Sequence, residues 1–329
     1  MTQPLLLITG ATGKVGRVFL EAFFAEPRFA NWQVRALCHQ RRLPETDRLQ
    51  VQSGSIADRT VVQGAMQGVT HVLHMATCKE TPEDAMDVTV KGMFWLLEEA
   101  RLSSTFQQFV LIGGDAAVGH FYYPSDRPIT DDVPYRPYPG CYPLSKVLEE
   151  VLLQQFYTMY DLPGCCLRAP WIMDRDDFRY TLSFGDDVFG GPRWNELVAP
   201  ELAAEYQRRG TVPLMLAADG QPMRRNFVHV TDLARAILVA LGNPRVQQKT
   251  LNIALDEPVD YGVVAAHLQR TRGLDSVPIP TKFHSTWLDN TRAKLLLDWR
   301  PKYDTVRLVD EAYDFVRASD DPRVIYYPG

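Results

Sequence analysis

The chain is short of the features that mark several protein classes. Five cysteines (Cys38, Cys78, Cys141, Cys165 and Cys166) occur in 329 residues. None is spaced Cys-x-x-Cys, and the odd count suits reduced, buried thiols better than a disulfide framework. Neither sign of charge dominates: 35 Lys+Arg stand against 40 Asp+Glu, a net −5, with no block of like sign. A basic field to attract nucleic acid or anionic lipid is therefore missing. No apolar run approaches the ~18 residues that cross a bilayer. The opening Met1-Thr2-Gln3-Pro4 lacks the basic and apolar regions of a signal peptide. The histidines form no ligand cluster; His71 and His74, three apart in one strand, point to opposite faces. These absences leave a cytoplasmic α/β protein with no nucleic-acid, membrane or metal partner as the expectation.

What is present is ordinary globular composition, 46% hydrophobic and 23% charged, with enough length for one large domain or two smaller ones. Leu5 to Ile8 is a short apolar run cut off by Thr9-Gly10, the pattern of a strand buried on both faces. Further strands are expected at Val34–Cys38, Leu49–Ser53, Val69–Met75 and Phe109–Ile112, with helices at Gly13–Glu26, Val88–Arg101 and Ser145–Tyr160. Strands alternating with helices predict a Rossmann-type, doubly wound parallel sheet. Order weakens after Arg168: 171–223 is rich in Gly and Pro, with one good helix at Pro200–Arg209. Pattern returns with a strand at Phe227–Val230 and a helix at Thr231–Leu241, N-capped by Thr231. The chain closes on Val324 to Gly329. The division expected is a dinucleotide-binding domain over 1–170 and 224–255, with a smaller, mixed substrate domain over 171–223 and 256–329. Helices 88–101 and 145–160 are apolar on more than one face, so each needs a second cover, and a homodimer through them is expected.

Gly10-Ala11-Thr12-Gly13-Lys14-Val15-Gly16 follows the first strand and opens the first helix. Its glycines let the backbone turn tightly and approach a pyrophosphate, for which the helix N-terminus supplies free N–H donors. The spacing is Gly-x-x-Gly-x-x-Gly. An acid at the end of the second strand would hold the ribose 2′-hydroxyl of NAD. That strand instead ends Cys38-His39-Gln40-Arg41-Arg42, whose cations favour the 2′-phosphate of NADP over NAD. Asp58 is placed either near an adenine or as a helix cap.

Tyr142-Pro143-Leu144-Ser145-Lys146 sets a phenol and an ammonium four apart on one helix face. A phenol ionises near pH ~10, so acid/base work at neutrality needs about 4 kcal/mol of phenolate stabilisation. Lys146 is the evident source.

With these residues together the chain resembles the extended short-chain dehydrogenase/reductase family, in its NAD-dependent epimerase/dehydratase branch. The resemblance spans nearly the whole length. It runs through Gly10/Gly13/Gly16, His74-Met75-Ala76, Thr89-Val90-Lys91-Gly92, Tyr142/Lys146, Leu167-Arg168-Ala169-Pro170, Arg225 to Ala234 and Leu297-Asp298-Trp299-Arg300-Pro301. It implies a cofactor site of Gly10, Thr12, Gly13, Lys14, Val15, Gly16, His39, Arg41, Arg42, Ser55, Ile56, Met75, Ala76 and Thr77, completed by Tyr142 and Lys146. The family's third catalytic residue, a Ser or Thr after the fifth strand, lines up with Asp115. The Asp-Glu pair of the family's dehydratases lines up with Ala116-Ala117, which argues against dehydration. Arg168, Trp171, Arg225 and His229, with Asp115, are the expected substrate contacts. Trp171-Ile172-Met173-Asp174 replaces the family's Asn-containing segment. Two function classes follow: an NAD(P)-dependent oxidoreductase or epimerase acting on a secondary hydroxyl of a sugar or nucleotide-sugar, with Tyr142 as acid/base, or a catalytically silent NAD(P)-binding sensor or scaffold.

Overall fold

The computed structural model describes residues 3–78 and 81–321; the closing run Val324 to Gly329 lies outside them. Strand β1 (Leu5–Thr9) is buried along almost its whole length, as an unbroken apolar strand covered on both faces must be. It runs into α1 (Lys14–Ala25), which turns Phe19, Leu20 and Phe23 inward. Then come β2 (Gln33–Cys38), β3 (Leu49–Ser53), α2 (Arg59–Met66) and β4 (His71–His74). A single turn, α3 (Pro82–Asp84), passes through a π-helical segment (Ala85–Lys91) into α4 (Gly92–Leu102). β5 (Gln108–Gly114), α5 (Cys141–Tyr160) and β6 (Gly164–Ala169) complete the first half.

These strands and β11 (Lys249–Asn252) form one seven-stranded sheet in the order β11-β6-β5-β4-β1-β2-β3. Every pairing in it is parallel. Helices cover both faces, the Rossmann-type doubly wound arrangement expected from the alternation of strands and helices. Leu20, Phe23 and Ile237 close one side of the core; Leu96, Leu97, Leu153 and Phe156 close the other. Strand order reverses between β1 and β4, and the crevice beyond their C-terminal ends is where such sheets bind ligands.

The remaining elements are β7 (Trp171–Met173), α6 (Asp177–Thr181), α7 (Pro200–Arg209), β8 (Val212–Leu216), β9 (Arg224–Arg225), β10 (Phe227–His229), α8 (Val230–Ala240), β12 (Val259–Asp260), α9 (Tyr261–Arg272), β13 (Ser276–Pro280), α10 (Thr291–Leu297) and α11 (Thr305–Asp314). Three two-stranded sheets pair β7 with β10, β9 with β12 and β8 with β13. Phe178, Trp194, Met215, Phe227, Tyr261 and Leu308 share a second core.

Two local expectations are corrected. The helix expected from Val88 starts at Pro82, whose fixed φ suits a first turn, and the π-helical segment brings Thr89 inward to accept the Cys78 N–H at 2.9 Å. The cap of α8 is His229, not Thr231: its Nδ1 accepts the Thr231 N–H at 3.3 Å. The cysteines in the described residues are free thiols, as expected, and no helix there is long and apolar enough to span a membrane.

Candidate active site

The glycine loop sits at the switch point and is closed in from beneath. Gly10, at φ +74, occupies the left-handed region, and a Cβ there would lie 2.8 Å from the Met75 carbonyl carbon and 2.9 Å from Ala76 N. A Cβ on Gly16 would lie 2.5 Å from Ala11 O. Both neighbours are backbone and cannot yield, so side chains are excluded and the loop stays thin. Thr9 Oγ1 accepts the N–H groups of Met75 and Ala76, each at 3.2 Å, tying the end of β4 to the loop. The first-turn N–H groups of α1 lack helical acceptors and its N-cap, Gly13, has no side chain to offer. A thin loop against a helix N-terminus fits the pyrophosphate of a dinucleotide.

Tyr142 and Lys146 stand in the first two turns of α5, as their spacing predicts. The Lys146 ammonium lies 5.8 Å from the Tyr142 ring centroid. Lys146 is buried, donates to Ile112 O at 3.4 Å, and is ion-paired with Glu149 at 2.8 Å. Gly114, at the end of β5, passes close to the pair: a Cβ there would lie 3.4 Å from Tyr142 Oη. Asp115, the next residue, opens a short 3-10 turn and its carboxylate is paired with His120 Nδ1.

His120 in turn faces Arg225, whose Nη2 lies 3.3 Å from His120 Nε2. Since Arg225 can only donate there, Nε2 accepts and Nδ1–H donates to Asp115. Burial pushes the His120 imidazole below its usual value and Arg225 adds to this, while Asp115 opposes it. The Arg225 guanidinium is buried over Trp171 (3.8 Å) and Phe121 (4.5 Å). Three expected substrate residues, Asp115, Trp171 and Arg225, are thus brought together with His120 between them.

A family model described as "NAD dependent epimerase/dehydratase family" matches residues 6–254. The chain belongs to that family. Its members of the extended short-chain dehydrogenase/reductase type share this fold, and many solved structures match. A short-chain dehydrogenase/reductase superfamily protein from Agrobacterium tumefaciens with bound NAD is 24% identical, with a TM-score of 0.77, covering 94% of this chain and 95% of that one. A UDP-glucose 4-epimerase from Thermotoga maritima with UDP-glucose is 19% identical, with a TM-score of 0.70 and coverages of 94% and 97%. A UDP-glucuronic acid 4-epimerase from Bacillus cereus with NAD is 18% identical, with a TM-score of 0.71 and the same coverages. No curated protein matches the chain.

Within this family fold, several expected site residues are placed differently. Arg168 is no surface contact: buried in β6, it forks onto Glu150 at 3.1 and 2.8 Å and reaches Asn252 Oδ1 at 3.3 Å. His229 is committed to capping α8 and stacks on Tyr303 with centroids 3.7 Å apart. The Lys14 ammonium is turned away from the glycine loop to pair with Asp177 and donate to Ile172 O at 3.1 Å. Asp58 caps α2, accepting from Thr60 N at 2.8 Å. Val15 and Thr12 stay in the loop and first turn; His39, Arg41 and Arg42 are exposed beyond β2. Ser55 and Ile56 follow β3, with Ile56 buried where α4 passes close at Gly92. Met75, Ala76 and Thr77 line the end of β4 beside the loop. Sequence reasoning missed Glu149, Gly114 and His120. Glu149 had a readable signal, since i,i+3 spacing sets it on the Lys146 face; His120 meets Asp115 only through a loop. Among the described residues no group of His, Cys, Asp and Glu could hold a metal.

Proposed function

We propose that the chain is an NAD(P)-dependent oxidoreductase or epimerase acting on a secondary hydroxyl of a sugar or nucleotide-sugar. The observation that carries this is the buried Lys146 beside Tyr142 at the end of β5, in the same sheet whose switch point carries the glycine loop. When bound, the nicotinamide ring supplies the hydride acceptor or donor. Tyr142 Oη takes the proton from the substrate hydroxyl, or returns it to the carbonyl, and Lys146 offsets the charge of the phenolate. Arg225, with its planar fork beside Trp171, is the substrate-side cation, and a sugar ring would stack on the indole. Asp115 and His120, paired with each other beyond the end of β5, would help orient the substrate hydroxyl.

The exposed Arg41 and Arg42, with no acid ending β2, favour NADP over NAD. Mass spectrometry of nucleotide released on denaturing the purified protein tests this. NADP, or an empty site that prefers added NADP, is the expected result. Stoichiometric NAD would refute the preference and favour an epimerase that keeps its cofactor; binding of neither would refute the enzyme reading.

The outward faces of α4 and α5 expose Leu102, Val151, Met159 and Tyr160. A homodimer through these helices would cover them, and sedimentation at micromolar concentration is expected to give twice the chain mass. A monomer would refute it.

A further inference from the structure

A buried chain of polar groups leads from the glycine loop to Lys146, and the acid/base chemistry proposed above does not use it. It begins at Thr9, the last residue of β1. Thr9 Oγ1 accepts from Ala76 N and shares the Met75 N–H with its own carbonyl, all at 3.2 Å, so its proton is directed to His74 Nδ1, 2.7 Å away. His74 therefore carries its ring proton on Nε2, which faces Glu149 Oε1 at 3.6 Å. Glu149 Oε2 lies 2.8 Å from the Lys146 ammonium. His74 and Glu149 are 0% exposed, and Lys146 is 4% exposed.

We propose that Glu149 is a positioning residue for the Tyr142–Lys146 pair, its carboxylate ion-paired with Lys146 and faced across 3.6 Å, without a hydrogen bond, by the His74 ring that Thr9 orients. A buried ammonium without an anion gives up its proton more readily than one in water. Lys146 also donates to the Ile112 carbonyl, at the long distance of 3.4 Å. Glu149 thus fixes where the Lys146 ammonium sits. Thr9 makes the arrangement answer to the loop that would carry the cofactor, because the N–H groups that orient its hydroxyl belong to the turn beside Gly10.

Other charges near Glu149 are already committed. Glu150, its neighbour on α5, is paired with Arg168. On the π-helical segment packed against α5, Asp87 pairs with Lys91 at 2.6 Å. On α4, Glu98 pairs with Arg101 at 2.7 Å and Glu99 with Arg59 at 3.9 Å. Asp115, on the turn after β5, is held by His120. From β6, Cys166 faces the pair as a neutral thiol, since burial and Glu150 raise it well above its usual value. Lys146 is left as the cation that answers Glu149.

This inference rests on the proposed acid/base role of Tyr142, and one of its two readouts needs no turnover. In 13C-lysine-labelled protein without cofactor, with Lys146→Arg used for assignment, the Lys146 ε-carbon signal reports the ammonium directly. Glu149→Gln is expected to move the pH at which that signal changes downward by about one unit or more. Thr9→Val should shift it in the same direction by less, and Thr9→Ser should match the wild type. This remote pair keeps the test decisive if Glu149→Gln does not fold. In turnover, Glu149→Gln should lose about tenfold in kcat, with its pH profile displaced to higher pH and KM within about twofold. Lys146 signals that change at the same pH in all variants, or at higher pH in the glutamine variant, would overturn the proposal. A wild type without turnover that still shows the Lys146 shift would support the positioning role and refute the function built on it.

Discussion

Tyr142→Phe is expected to lower turnover by roughly 10²–10⁴-fold while dinucleotide affinity stays within about threefold. The variant removes one oxygen and leaves the ring, so the packing of α5 on the sheet is retained. The loop that fits the pyrophosphate is built from β1, α1 and the end of β4, and none of its close approaches involves Tyr142. A loss confined to kcat would mean an interaction realised only in the transition state, as an acid/base role requires. The sensor or scaffold reading draws its support from Asp115, which stands where the family has a Ser or Thr. It expects the phenylalanine variant to behave like the parent in every assay, so steady-state kinetics beside a cofactor titration separate the two. Unchanged turnover in Tyr142→Phe would remove Tyr142 from the chemistry.

Much of the fold was legible because it rests on local patterns. Leu5–Thr9 and Phe109–Ile112 are apolar without alternation, which only a strand covered on both sides tolerates, and the glycines after β1 mark where the chain must thin. Tyr142 and Lys146 were legible for the same reason, since helical spacing alone puts them on one face. What failed depended on partners far along the chain. Arg168 reads as a free cation until Glu150 and Asn252, 18 and 84 residues away, are seen to meet it. His229 reads as a substrate contact until Tyr303 is laid over its ring. Lys14 lies inside the glycine motif, yet its side chain answers to Asp177, 163 residues on. Asp115, lined up with the family's hydroxyl residue, meets in the fold a partner the sequence did not suggest, His120, five residues on.

Arg168→Met is expected to cost about 3–5 kcal/mol of unfolding free energy, the second large effect. The reason lies in what it leaves behind. Glu150 is 1% exposed, and Arg168 is its bidentate partner. A Cβ on Gly113 would lie 3.1 Å from Glu150 Oε1, so the pocket is closed against that strand. An unpaired carboxylate held there loses its counter-charge without gaining solvent. Removing both charges, as Glu150→Leu with Arg168→Met, should therefore be less destabilising than Arg168→Met alone, because the pair's attraction and its desolvation are of similar size. Urea unfolding of the two single variants and the double variant gives the coupling directly, with the slope of the transition checked for two-state behaviour. If Arg168 instead contacted substrate, as the sequence suggests, Arg168→Met would keep its stability and lose KM. An unfolding midpoint equal to the parent's, together with a raised KM, would return Arg168 to the binding site.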